Sequence, residues 1–199
     1  MRLGVYGGTF DPIHYGHLVL AEQCREQLGL DEVRFLPAGH PPHKPDQKIT
    51  PGQQRAEMVG FAIAGHPQFK LDRRELQRPG PSFTVDTLLE LQSEQSDAEL
   101  FLLLGADSLV DLPHWREPAR IAQLATIVAV NRAGGPALDV SVLKSVLSDE
   151  AVARIRLLAI PGCDLSATDL RQRAREGRSL RYLTPRAVEC YIQEKSVYA

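Results

Sequence analysis

The stretch Leu3-Gly4-Val5-Tyr6-Gly7-Gly8-Thr9-Phe10-Asp11-Pro12-Ile13-His14-Tyr15-Gly16-His17 decides how the rest of the chain is read. The apolar run Leu3 to Tyr6 has the length of a buried strand. After it, Leu18, Ala21, Cys24 and Leu28 keep helical spacing as far as Gly29, a residue suited to a left-handed cap. Between strand and helix, Gly7 and Gly8 leave the strand's end without side chains, so the chain can turn sharply and a phosphate can approach the backbone. Thr9 adds a hydroxyl. With a helix beginning near Ile13, His14 and His17 fall on one face of its first turn, beside the positive end of the helix dipole. These features together predict a site for a polyanion.

The pattern continues outward. Val33 to Leu36, Leu100 to Leu104, Thr126 to Val130 and Arg156 to Ile160 are further short apolar runs bounded by Gly, Pro or Asp. They alternate with helical segments, which predicts an α/β fold with a central parallel sheet covered by helices on both faces. Ligands of such sheets bind beyond the carboxyl ends of the strands. One domain over 1–199 is expected, with the part from about 163 onward packed on it. Thr184 and Pro185 read as the N-cap and first residue of a final helix that buries Val188, Tyr191 and Ile192. His40 to Pro51 and Ala133 to Asp139 read as loops.

Composition narrows the partners. A formal net charge of -2 and a pI near 6.3 lack the basic excess that a surface tracking many phosphates needs, so nucleic acid is not expected as a partner. A small anion remains open. Cys24, Cys163 and Cys190 are odd in number and in no metal-knuckle spacing, so they read as core thiols in a reducing compartment. No apolar run reaches the roughly 18 residues of a membrane span, and the opening residues lack a secretory pattern, so no membrane partner is expected and the cytoplasm is the default location.

GGTFDPIHYGH resembles the signature of the nucleotidyltransferase superfamily, whose H-x-G-H is here His14-Tyr15-Gly16-His17. The superfamily includes several adenylyl and cytidylyl transferases, so other segments must choose the substrate. Pro37 to Lys44, Arg78 to Leu88, Leu104 to Ser108, Trp115 and Leu165 to Arg171 are similar, in order and spacing, to the bacterial nicotinate-nucleotide adenylyltransferases. The resemblance implies a Rossmann-like nucleotidyltransferase fold. It also implies AMP transfer from ATP to nicotinate mononucleotide, with magnesium, to give deamido-NAD and pyrophosphate. On the matching positions it assigns catalysis to His14, His17, Lys44 and Arg171, and ATP binding to Gly7, Gly8, Thr9, Phe10, Gly16, Gly105, Asp107, Ser166 and Thr168. Ser82, Phe83, Thr84, Trp115 and His43 take the mononucleotide. The resemblance also implies that magnesium comes on the ATP phosphates, with no direct protein ligand; monomer and homodimer both stay open.

The residues bear a parallel physical reading. Pro81 to Thr84 mark a helix start whose unpaired N–H groups can seat a carboxylate, which nicotinate carries and nicotinamide does not. The indole of Trp115 can stack on a pyridine ring. Gly105 and Asp107 bring a bare backbone and a carboxylate to a strand's end, although Asp107 also reads as an N-cap. Ser166 and Asp169 have capping-box spacing, with Thr168 and Arg171 on the turn that follows. Arg173, Arg175 and Arg178 read as a solvated face. At Ala38 and Gly39 many members of the family carry an asparagine, and here His40 or backbone groups would have to fill that contact. Bound triphosphate should favour charged imidazoles.

Three alternatives stand beside this reading. Phosphopantetheine adenylyltransferases share the H-x-G-H but lack the Ser-Phe-Thr and tryptophan context. His14, His17, His40 and His43 could surround zinc, although no cysteine or carboxylate cluster completes the set. A nucleotide-binding regulator could keep the fold without the activity.

Overall fold

The computed structural model describes residues 1–41, 49–132 and 138–199. In chain order it runs β1 (Arg2–Gly8), α1 (Tyr15–Leu28), β2 (Glu32–Pro37), α2 (Gly52–Ile63), β3 (Phe69–Leu71), α3 (Arg74–Gln77), α4 (Thr84–Glu94), β4 (Glu99–Gly105), α5 (Ala106–Asp111), α6 (Pro118–Leu124), β5 (Thr126–Arg132), α7 (Asp149–Ala153), β6 (Arg156–Ile160), α8 (Ala167–Arg175) and α9 (Arg186–Glu194). Short 3₁₀ turns lie at Leu112–His114 and Val140–Ser145. Among the described residues, the strands form one six-stranded sheet in the order β3-β2-β1-β4-β5-β6. Every neighbouring pair is parallel. Strand order reverses between β1 and β4, which opens a crevice at their carboxyl ends.

Two cores sandwich the sheet, and alternate residues of each central strand feed them. Phe101 and Leu103 of β4 join Tyr6, Ala21, Cys24, Met58, Val188 and Ile192 on one face. Leu100, Leu102 and Leu104 join Leu3, Val5, Leu88, Leu91 and Ile121 on the other. Burial on both sides is why these strands read as unbroken apolar runs. The edge strand β6 departs from the expectation, since only Ile160 within it is fully buried. The three-residue β3, Phe69–Leu71, was not anticipated.

The helix after the opening turn begins at Tyr15, not near Ile13, and His14 is its N-cap with extended backbone. Gly29 closes it in the left-handed conformation at φ 58°. At α9 the expected cap is displaced: the Thr184 hydroxyl donates to the Ile13 carbonyl at 2.7 Å, and Pro185 takes the cap position. Val188 and Ile192 are buried as expected, whereas Tyr191 is only half-buried, with its hydroxyl donating to the Glu57 carboxylate at 2.6 Å. Of the three cysteines only Cys24 is buried, which pushes its thiol up to about 12. Cys163, by contrast, lines the cleft. Among the described residues, no helix is long and apolar enough to cross a membrane.

Candidate active site

A cleft of about 750 Å³ opens over the carboxyl ends of the strands, lined from β1, β4, β5, β6 and the segment after β2. The two glycines that end β1 have different tasks. A β-carbon on Gly7 would meet nothing within 4 Å, so that backbone is bare toward the cleft. One on Gly8 would stand 2.9 Å from the ring of Phe10. Phe10 is 2% exposed and packs edge-on against Tyr6 and His17, so its main work is to support the turn from beneath.

The imidazoles of His14 and His17 stack with centroids 3.7 Å apart and planes 23° apart. Gly16 allows this, because a β-carbon there would lie 3.0 Å from Nδ1 of His14. The backbone N–H of His14 donates to Nδ1 of His17 at 3.2 Å. With Nδ1 occupied as an acceptor, the His17 ring carries its proton on Nε2.

The opposite wall is the start of α4. Phe83 occupies its N-cap with no side-chain hydrogen bond to the helix, leaving the first N–H groups uncapped by a side chain. Ser82 lines this wall, and its hydroxyl accepts from the backbone N–H groups of Gly39 and His40 at 3.0 and 3.3 Å. That clamp fixes the segment after β2. A β-carbon on Gly39 would fall 2.2 Å from the Glu75 carbonyl oxygen, so the position has no room for the family's asparagine. The exposed His40 is not among the residues lining the cleft and its ring does not fill the gap. Trp115 and Phe83 both pack on the second core and line the cleft. The Arg116 guanidinium covers the Phe83 ring at 4.9 Å.

Gly105 ends β4 with no atom within 4 Å of its missing β-carbon, and it is the N-cap of α5. Asp107 is therefore not a cap; it stands in the first turn, exposed at the cleft. Ser166 does cap α8, accepting from the Asp169 N–H at 3.1 Å. The reciprocal half of the predicted capping box is taken by Arg173, which binds the Asp169 carboxylate at 2.7 Å. Arg171 donates to the Asp11 carbonyl at 2.8 Å and to the Thr168 hydroxyl at 3.1 Å. Thr168 thus stands behind Arg171, off the cleft lining.

The cleft brings together Gly7, Gly8, Thr9, Phe10, His14, Gly16, His17, Ser82, Phe83, Thr84, Gly105, Asp107, Trp115, Ser166 and Arg171. His43 and Lys44 lie outside the described residues. Sequence reading passed over a buried brace beneath the cleft. Arg55, 1% exposed, donates to the carbonyls of Thr9 at 2.7 Å, Ala38 at 2.6 Å and Thr50 at 2.8 Å. Asp11, 5% exposed, accepts from the Tyr198 hydroxyl at 2.7 Å and the Thr50 N–H at 3.1 Å. Glu75 and Thr87 were also passed over; they line the cleft and share a 2.8 Å hydrogen bond. Arg55 left one trace, a cation in the stripe Arg55, Met58, Val59 where an apolar side chain belongs.

Comparison with known proteins follows the same outline. The cytidylyltransferase-like family model matches residues 5–173. A Thermomicrobium roseum protein named "Probable nicotinate-nucleotide adenylyltransferase" is 47% identical over 99% of this chain and 91% of its own length. A Thermus thermophilus protein of the same name is 44% identical over the whole of both chains. In fold, the chain is similar to Plasmodium falciparum nicotinic acid mononucleotide adenylyltransferase complexed with NaAD. That match has a TM-score of 0.80 at 19% identity, covering 99% of this chain and 97% of that one. Together these matches make the chain a member of the cytidylyltransferase-like family and, within it, of the nicotinate-nucleotide adenylyltransferases.

Proposed function

We propose that this chain transfers AMP from ATP to nicotinate mononucleotide, releasing pyrophosphate and giving nicotinate adenine dinucleotide. The observation that carries the reading is an opposition across one cleft. The bare β1 end, the stacked histidines and Arg171 form one side, and the uncapped start of α4 beside Trp115 forms the other. A triphosphate suits the first and a pyridine carboxylate the second. Full-length relatives at 44–47% identity bear names that agree with this reading.

In the reaction, a phosphate oxygen of the mononucleotide attacks the α-phosphorus of ATP as the bond to the β-phosphate oxygen breaks. The electron pair of that bond leaves with pyrophosphate. The nucleophile is already ionised near pH 7, so neither a general base nor a covalent intermediate is required. Catalysis rests on alignment and on neutralising charge that grows on the leaving group. His17 supplies an Nε2–H donor, His14 the ring stacked on it, and Arg171 a fixed cation. Lys44 is assigned to the same group by resemblance. ATP arrives as its magnesium complex; among the described residues, no three His, Cys, Asp or Glu side chains gather to hold a metal. On the acceptor side, Phe83 and Thr84 open the carboxylate seat, Trp115 stacks on the ring, and Ser82 holds the wall in place. Gly105 and Asp107 serve the ribose of ATP.

A pyrophosphate-release assay tests the function. With ATP present, nicotinate mononucleotide should turn over faster than nicotinamide mononucleotide, and phosphopantetheine should not turn over. Preference for phosphopantetheine, or no pyrophosphate with any acceptor, would overturn the reading.

A further inference from the structure

Asp11 is where three distant parts of the chain meet the opening turn. The Tyr198 hydroxyl, 187 residues away in sequence, donates to its Oδ1 at 2.7 Å. The Thr50 N–H donates to its Oδ2 at 3.1 Å, and Arg171 Nη1 donates to its backbone carbonyl at 2.8 Å. Tyr198 is 7% exposed and Asp11 5%, so the bond between them is made away from water, where a charge-assisted hydrogen bond is strong. Burial and the facing carboxylate push the phenol up, which keeps it protonated and a donor. Both carboxylate oxygens are thereby held, and with them the peptide plane whose carbonyl receives Arg171. Thr168 takes a second donor of the guanidinium, and its remaining N–H groups are left for an oxyanion.

We infer that Tyr198 is a positioning residue for AMP transfer: through Asp11 it sets the Arg171 guanidinium against the departing pyrophosphate. The inference rests on the role proposed above for Arg171. Tyr198 itself touches no reacting atom. It acts by removing the freedom of the turn to tilt, and small misplacements of a charge-neutralising group are costly to rate.

Tyr198→Phe keeps the ring and removes the hydroxyl. Calorimetry with inorganic pyrophosphate should show Kd raised about fivefold, and kcat should fall about tenfold, while KM for nicotinate mononucleotide stays within twofold. In an Arg171→Ala background the same change should move neither pyrophosphate affinity nor kcat by more than about twofold, because the path it acts through is gone. Equal losses in both backgrounds would mean a merely structural tyrosine and would overturn the inference, as would unchanged pyrophosphate affinity in the single variant. Circular dichroism and urea unfolding show whether the phenylalanine variant folds. Tyr198→Leu, which lacks the hydroxyl as well, should raise the pyrophosphate Kd by at least as much, and a folded leucine variant with wild-type pyrophosphate affinity counts against the inference. Wild-type protein that neither binds pyrophosphate nor releases it from ATP would sink the reading of the cleft itself. A wild type that does both beside an unaffected Tyr198→Phe sinks only the role of Tyr198.

Discussion

The ring of Phe10 occupies the space that a side chain on Gly8 would need, with Cζ 2.9 Å from the β-carbon position, whereas Gly7 one residue earlier faces open space. The two glycines therefore separate folding from binding. Gly8→Ala should force the ring into Tyr6 and Phe35 and destabilise the protein by about 1–3 kcal/mol, the usual range for overpacking. Gly7→Ala should leave unfolding within about 0.5 kcal/mol of wild type and raise KM for ATP on the order of tenfold by intruding on the bare backbone. Thermal unfolding and initial-rate kinetics on the pair check this; equal effects on stability would contradict the division.

That division was only half legible in the sequence. Gly-Gly before His-x-Gly-His announces a phosphate turn, but which glycine serves the ligand depends on where the Phe10 ring goes. The central strands were legible because they are buried on both faces. Phe69-Lys70-Leu71 was not, being too short to show a period. Thr184 reads as a cap because caps are local; its partner, the Ile13 carbonyl, is 171 residues away. The Arg55 brace is invisible for the same reason, since hydrogen bonds to distant carbonyls leave no spacing behind.

Arg55 supplies the second prediction. Its guanidinium is the donor to three carbonyls that belong to the opening turn, the exit of β2 and the segment entering α2. Burial pulls its pKa down, while the nearby Asp11 charge opposes that fall. Arg55→Met would leave three part-buried carbonyls without these donors, at a cost of about 3–5 kcal/mol. Arg55→Lys keeps the charge but cannot span the three acceptors, and should lose about 2 kcal/mol. Urea unfolding measures both, and a Met variant within 1 kcal/mol of wild type would refute the brace.

Glu75 makes stability depend on pH in an unusual direction. Burial pushes its carboxyl up from the ordinary 4.5, against the hydrogen bond from Thr87 and the charge of Arg78. The folded state then holds this proton more tightly than the unfolded chain, so Glu75's contribution is fully present below about pH 4.5 and is lost as pH rises through its folded value. Glu22, Glu57 and Glu94 are shifted downward and work in the opposite sense, so the test compares variant with wild type. Glu75→Gln retains a partner for Thr87 and cannot ionise. Its melting temperature should rise relative to wild type as pH climbs past 4.5, and a difference that stays flat from pH 4 to 8 would exclude the effect.

The most direct test of the chemistry lies in His17, because its two nitrogens can be removed separately. Nδ1 is held by the His14 N–H at 3.2 Å, which leaves Nε2 as the donor to developing negative charge. An asparagine side chain reaches roughly as far as Nδ1 and a glutamine as far as Nε2. His17→Asn should therefore preserve the turn and melt close to wild type while losing about 3 kcal/mol of transition-state stabilisation, a hundredfold or more in kcat. His17→Ala should lose as much and add a modest loss of stability. His17→Gln should recover part of the rate, since an amide N–H returns near the vacated position. If the asparagine enzyme turned over at nearly the wild-type rate, the donor would have to come from elsewhere in the cleft, with His14 and Arg171 the next residues to replace.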